Sequence, residues 1–321
     1  MKFLRSIIAI ISTLSFTVAL AQTYPNKPIS LIVPYGAGGG SDSRTRQVAQ
    51  FLSQELGQPV IVDNKAGAGG NIGTEYVAKA KADGYTLGMG NFAPLSVNKA
   101  LFKKLGFDPE KDLIPITLIE KGPLVLCVST KSPYKTVNDI ITAAKAKPGT
   151  LTFASGGIGG SHHLSGELFK QSTGIDMIHV PYKSGSAATT DLLAGNVDMM
   201  FEQMYSAMPN IQAGKVRPIA ITSTKRSSLL PNVPSFTELG HTKVVVLNWQ
   251  GIVAPANTSP EIVAKLSKAL NKVLQSPEMR EKITAQGNEV GGGTPEEFGT
   301  LIRSESQKWS NVVRLANIKP E

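Results

Sequence analysis

Three glycine-rich turns hold the residues whose type and spacing point to chemistry. Each follows a short apolar strand and leads through a small polar residue into an amphipathic helix. Ile29–Pro34 runs into Gly36-Ala37-Gly38-Gly39-Gly40 and Ser41-Asp42. Val60–Val62 precedes Gly67-Ala68-Gly69-Gly70 and Asn71, and Leu151–Ala154 precedes Gly156-Gly157-Ile158-Gly159-Gly160 and Ser161. A helix start leaves backbone N–H groups without intrahelical partners, and the helix dipole adds a positive field there. Glycine lets such amides converge and lets a ligand approach the main chain. A small carboxylate or phosphate held mostly by backbone is the ligand these turns fit. One such turn is explained by tight strand–helix turning alone. Three, each ending in a Ser, Asp or Asn suited to cap a helix, favour ligand binding. Asp42 is expected to cap its helix or order its turn, because its charge repels an anion.

The elements around these turns must aim them. Strand and helix signals alternate, which predicts an α/β fold with mostly parallel sheets. Val48, Phe51, Leu52 and Leu56 keep helical spacing before Gly57, and Leu164, Leu168 and Phe169 do so before Thr173-Gly174. Ile72, Val77 and Ala80 mark a helix between them, followed by a strand at Thr86–Gly90. Further on come strands Ile175–Val180, Val197–Phe201, Val216–Thr222 and Val244–Ala254, with a helix at Ala187–Ala194. Helices Glu261–Gln275 and Pro295–Leu315 close the chain, each opening on proline and acids as a helix start prefers. Two apolar stretches, Leu113–Ile119 and Leu124–Val128, flank Gly122-Pro123 and suit a crossing between lobes. The expected division is a first lobe of residues 22–122 and 223–321 and a second of 123–222. Ligands bind beyond the carboxyl ends of strands in such sheets, so turns 36–42 and 67–71 are expected to face turn 156–161 across a cleft.

Composition narrows the function classes. Lys2 and Arg5, the apolar Ile7–Leu20 and the small-residue site Ala19-Leu20-Ala21 form a cleavable secretion signal over residues 1–21. Its removal leaves 300 of 321 residues and lowers the net charge from +9 to +7. Basic residues are spread rather than clustered with aromatics, which excludes a nucleic-acid patch. Cys127, the single cysteine, lies in an apolar run and is expected to be a buried small side chain rather than a reactive thiol. The segment Gly67–Gly73 lacks the spacing and the distant acid of a dinucleotide fingerprint, and no phosphate-loop lysine motif occurs. His162 and His163 point about 100° apart on a helix, a poor metal pair. One of the two is expected to bond ligand or backbone at the helix start, the other to be structural. No Gly-x-Ser-x-Gly elbow surrounds a serine. Met199, Met200, Met204, Tyr205 and Met208 either fill the core or soften a pocket.

The ordered strings Ile32-Val33-Pro34-Tyr35…Gly38-Gly39…Asp42, Asn64-Lys65-Ala66-Gly67-Ala68-Gly69-Gly70, Asp83-Gly84-Tyr85-Thr86-Leu87, His179-Val180-Pro181-Tyr182-Lys183 and Trp249-Gln250-Gly251 resemble the Bug/TctC family. These are extracytoplasmic solute-binding proteins of tripartite tricarboxylate transporters, and the match runs in order over residues 24–318. The resemblance implies a two-lobed periplasmic binding protein of class II type, hinged between two α/β domains. It implies a small carboxylate ligand, no cofactor and no metal. It also implies docking on the large and small membrane subunits, with a monomer as the default for a receptor that hinges. Carried over by position, the implied contacts are Tyr35, Ala37, Gly38, Gly39, Gly69, Gly70 and Asn91 in the first lobe. In the second they are Ser155, Gly156, Ser161, His162, Tyr182 and Glu202. The chain departs from the family pattern at Ser184 and Ala187-Ala188, where glycine and proline are usual, and at Glu202, where aspartate is usual. Two rival readings stay open: an exported enzyme on a small organic acid using Glu202 or His162, and a receptor that signals to a membrane protein. The acid itself is open among di- or tricarboxylates, acidic amino acids and aromatic acids.

Overall fold

A computed structural model describes residues 24–319, so the signal segment expected at 1–21 lies outside the described residues. Among the described residues, ten strands join one curled sheet. In chain order the strands and helices are β1 (Ile29–Val33), α1 (Gly40–Leu56), β2 (Val60–Asn64), α2 (Asn71–Ala78), β3 (Thr86–Asn91), α3 (Asn98–Leu101) and β4 (Leu113–Ser129). Next come α4 (Val137–Ala146), β5 (Thr152–Ser155), α5 (Ser161–Thr173), β6 (Ile178–Pro181), α6 (Gly185–Ala194), β7 (Met199–Gln203), α7 (Met204–Gln212) and β8 (Val216–Ile221). The chain ends through β9 (Leu247–Pro255), α8 (Pro260–Gln275), α9 (Pro277–Thr284), β10 (Glu289–Gly292) and α10 (Pro295–Leu315).

The sheet runs β2-β1-β3-β9-β4-β7-β5-β6, with β8 and β10 also paired to β4. Its two wings are parallel: β1 pairs with β2 and β3, and β5 with β6 and β7. The centre is antiparallel, because β4 pairs in that sense with β7, β8, β9 and β10. The sheet is therefore mixed rather than mostly parallel, and the reason is β4. Gly122-Pro123 does not break the two apolar stretches apart; they form one strand of 17 residues that belongs to both wings. Up to Pro123 it pairs with β9, and from Leu124 onward with β7 and β8. The return path differs from a re-entry at 223. Phe236 N–H bonds Ile221 O, and the Phe236 ring packs on Phe169 and Phe201 of the second wing. Pairing to the first wing resumes at Leu247.

Burial follows this plan. Ile29, Leu31, Val48, Leu52, Leu266 and Leu270 fill the space between β1 and the helices α1 and α8. Val125, Cys127, Met200, Met204, Leu192 and Ile221 fill the second wing. Cys127 is fully buried, and burial first, then the nearby Glu202 charge, pushes its thiol well above the usual range. Met199, Met200 and Met204 are core residues, as is Trp309 of α10 against Phe92.

Candidate functional site

The carboxyl ends of β1, β3, β5 and β7 open on one cavity of about 710 Å³ between the wings. From the first wing it is lined by the turn Tyr35–Ser41, Asn91, Phe92, Trp249 and Gln250. From the second it is lined by Gly156, Gly157, Gly160, Ser161 and His162, the start of α6 at Lys183–Ser186, and Gln203 and Tyr205. Turns 36–41 and 156–162 thus face each other.

Neither helix behind these turns is capped by a side chain. The cap positions of α1 and α5 are Gly39 and Gly160, each with extended backbone and no side-chain hydrogen bond. Ser41 and Ser161 lie inside their helices instead of capping them, and Asn71 begins α2 behind a glycine cap in the same way. The first-turn amides of α1 and α5 are consequently left for an outside acceptor. Asp42 orders the first turn from behind. Its Oδ2 accepts from Gly38 N–H at 2.9 Å and its Oδ1 from Asn64 Nδ2 at 2.9 Å, while Arg46 pairs with it at 3.0 Å. The Arg46 guanidinium, aided by Gly38 N–H and Asn64, holds the carboxyl down at about 2 against burial. Asn64 Nδ2 also donates to Tyr35 O at 3.0 Å, tying the turn to the end of β2.

The floor is a buried polar chain. Arg44 Nε lies 2.9 Å from Glu120 Oε2, both side chains almost wholly buried. Gln250 Nε2 donates to Glu120 Oε1 at 2.6 Å and Asn288 Nδ2 to Glu120 Oε2 at 2.9 Å. Asn91 Nδ2 contacts both Gln250 Oε1 and Ser41 Oγ at 3.1 Å, and Asn91 Oδ1 is buried without a partner. Arg44 neutralises Glu120, so the floor presents little net charge. Lys183 is the cation among the described lining residues. Backbone amides and neutral polar groups, rather than an arginine clamp, make up the rest.

Among the residues carried over by the resemblance, Tyr35, Ala37, Gly38, Gly39, Asn91, Gly156, Ser161 and His162 line the cavity. His162 Nδ1 accepts from Gly156 N–H at 3.4 Å, and burial lowers its pKa to about 4. The other five do not line it. Gly69 and Gly70 sit behind Tyr35: a side chain on Gly70 would meet the Tyr35 ring and Pro94 at 3.2–3.3 Å, and Asn98 Nδ2 bonds Gly69 O at 3.2 Å. The second turn therefore supports Tyr35 instead of facing turn 156–161. Ser155 is fully buried beneath the third turn. Tyr182 turns away to donate its hydroxyl to Asp191 Oδ2 at 2.6 Å, which raises its pKa to about 12. Glu202 points into the second wing, where Thr189 Oγ1 donates to it at 2.7 Å and burial raises its pKa. Ser184, where glycine is usual, caps α6 by accepting from Ala187 N–H at 3.2 Å.

Sequence reasoning did not single out Lys183, Gln203, Asn248, Gln250, Gln286 or Asn288, which also line the cavity. Lys183 and Gln250 stand within matched strings, His179-Val180-Pro181-Tyr182-Lys183 and Trp249-Gln250-Gly251, without having been given a role; scattered amides carry no pattern of their own. No group of three or more His, Cys, Asp or Glu suited to a metal occurs among the described residues.

The family profile described as tripartite tricarboxylate transporter family receptor matches residues 44–318. The chain belongs to that family. Its relatives include the protein BugT of Bordetella pertussis, 39% identical over 300 residues, covering 93% of this chain and 92% of BugT. A solved structure described as a periplasmic transporter superposes with a TM-score of 0.83 at 39% identity, covering 92% of this chain and 99% of that one. A protein of R. palustris solved with adipate gives 0.85 at 34% identity, covering 93% and 100%. MatC from Rhodopseudomonas palustris, solved with malate, gives 0.81 at 30% identity, covering 90% and 100%. The fold is thus the two-lobed one of periplasmic binding proteins, and the family is one of solute-binding receptors rather than enzymes. Among the described residues no helix is long and apolar enough to cross a membrane.

Proposed function

We propose that this protein is a periplasmic receptor that captures a small organic carboxylate between hinged lobes. It hands that ligand to the large and small membrane subunits of a tripartite tricarboxylate transporter. The observation that carries the reading is the pair of uncapped helix starts, α1 and α5, facing each other across one cavity. Relatives solved with adipate and malate support the ligand class. A carboxylate would take the amides of turn 36–41, with Tyr35, Ala37, Gly38, Gly39 and Asn91 around it. Gly156, Ser161, His162 and Lys183 would meet its far end on closure. Because a ligand shifts a conformational equilibrium only by its preference for one state, contacts from both lobes supply the drive to close. The segment 1–21 would direct export, and a monomer suits the hinge.

A thermal-shift screen of the chain lacking residues 1–21 tests this, using di- and tricarboxylates, acidic amino acids and aromatic acids. A true ligand at 100 times its dissociation constant adds about 2.7 kcal/mol of stability. Absence of a shift with every acid overturns the carboxylate reading. Uptake that requires both this chain and the membrane subunits tests delivery.

A further inference from the structure

Beneath the third glycine turn lies a group of side chains that does not itself line the cavity. The His163 and His179 rings stack with centroids 3.7 Å apart and planes within 7°, and Phe153 stacks on His179 at 5.0 Å. Gly159 N–H donates to His163 Nδ1 at 3.1 Å. Gly157 N–H donates to Ser155 Oγ at 3.1 Å, and Ser155 Oγ stands 3.0 Å from Gly157 O and 2.6 Å from His179 Nε2. Ser155 has one proton and two lone pairs. All three contacts are met when it donates to Gly157 O and accepts from Gly157 N–H and from His179 Nε2–H. Gly157 and Gly159 have φ of +127° and +77°, a backbone shape that a free chain does not select.

We propose that His163, His179 and Ser155 are positioning residues that hold this turn in its ligand-receiving shape, and that they do so while both imidazoles are neutral. The inference rests on the reading of the cleft as a carboxylate site. Two N–H groups of the turn are drawn inward by the cluster, which leaves the uncapped first-turn amides of α5 to face the cavity. A proton on His163 Nδ1 would oppose Gly159 N–H donor to donor, and a second proton on His179 would set two charged rings face to face. The charged groups around the pair are Glu167, 3.9 Å from His163 Nε2, Lys170, bound to Glu167 at 3.1 Å, and Asp176, which acts on Glu167. Burial first, then His179 and Lys170, brings His163 down to about 3; burial and Lys170 bring His179 to about 4. The neutral pair therefore persists to well below the ordinary histidine range, and the turn loosens as pH falls through those values.

Two measurements test the proposal. In ligand-free protein, the Gly157 and Gly159 amide resonances should move together with the imidazole titrations of His163 and His179, below about pH 5. Amides that stay fixed while His163 titrates overturn the proposal, whatever any ligand does. Calorimetry with adipate, a six-carbon dicarboxylate, adds the functional readout. Adipate itself takes up protons at about pH 4–5, so the readout is the difference between variants measured at each pH from 7 to 4. His163→Leu should weaken binding about tenfold at pH 7, the size of one lost positioning hydrogen bond. His163→Asn, whose amide oxygen can accept from Gly159 and does not titrate, should keep neutral-pH affinity and lose less of it on acidification. An acid response equal to wild type in His163→Asn, or unchanged binding in His163→Leu, overturns the proposal. If adipate fails to bind wild type while the Gly159 amide tracks His163, the dicarboxylate reading is what falls.

Discussion

Glu202 stands next to the cavity in sequence and away from it in space. Side chains alternate across a strand, so with Gln203 on the cavity side Glu202 faces the second wing. There it lies beside Thr189, with β4 Val125 as its strand partner. A carboxylate ending a strand looks like a candidate base from sequence, because the alternation shows two faces without saying which one is wet. Burial raises the Glu202 pKa, meaning that the folded chain disfavours its charge. Glu202→Gln removes that charge and keeps an oxygen for the Thr189 hydroxyl. The expected result is a denaturation midpoint at pH 7 equal to or above that of wild type, with ligand affinity unchanged. Calorimetry showing a loss of binding would restore Glu202 to the site. Asp42 is the opposite case, because its role followed from charge alone: a carboxylate in an anion-binding turn has to face the turn's back. Tyr35 and Asn91 line the cavity beside it, whereas Asn248 and Asn288 come from distant segments and are invisible until the chain is folded.

Helices with explicit start and stop residues were legible, as α5 ending at Gly174, α8 opening at Ser259-Pro260 and α10 opening at Thr294-Pro295 illustrate. Less marked elements were not. Helix α7 carries Pro209 inside it, and β4 holds a glycine–proline pair that reads as a break. Tertiary pairing overrides both signals. At the three glycine turns alone the caps proved misleading: Asn71 and Ser161 take the first position of their helices, Ser41 the second and Asp42 the third, each behind a glycine cap. Gly39→Asp tests what the empty cap is for. Gly39 already has the extended backbone of a cap, with φ of −78°, and a Cβ there would make only ordinary contact with Gly36 O at 3.7 Å. Aspartate there should raise helix stability by about 0.3–1 kcal/mol through the dipole. Two like charges 4 Å apart near a protein surface repel by about 4 kcal/mol, so carboxylate affinity should drop at least about 100-fold. A higher melting temperature with lost binding is the expected pair of results; retained binding would remove turn 36–41 from the site. Acid stability belongs to α5 and β6. Below the ordinary histidine pKa of 6.5 the unfolded chain takes up protons at His162, His163 and His179, whereas the folded chain resists them down to about 4, 3 and 4. Their contribution is therefore lost as pH falls through that window, and the urea midpoint should drop between pH 6.5 and pH 4.

At the scale of the whole molecule, the lobes meet where side chains are missing. A Cβ on Gly159 would stand 2.3 Å from Leu101, and one on Gly287 would stand 2.4 Å from Met204. One on Gly40, the first residue of α1, would stand 2.4 Å from the Tyr205 hydroxyl that reaches it from α7. Gly40 has no need of glycine for its backbone, because its φ is not positive and it begins a regular helix. The small residue is there for the approach of Tyr205 across the mouth of the cleft. Gly40→Ala should leave each lobe folded, since the added methyl meets only the tip of a side chain from the opposite lobe. It should raise the energy of the closed arrangement by about 1–3 kcal/mol, the usual cost of overpacking. Ligand affinity then falls by about 5- to 150-fold while the melting temperature without ligand changes little. Tyr205→Ala removes the obstacle, so the double variant should bind better than Gly40→Ala alone. That sign reversal distinguishes a contact between lobes from damage to the amides of the turn. If the second substitution only adds to the loss, Tyr205 touches ligand rather than Gly40, and closure is governed by the Gly159 and Gly287 contacts instead.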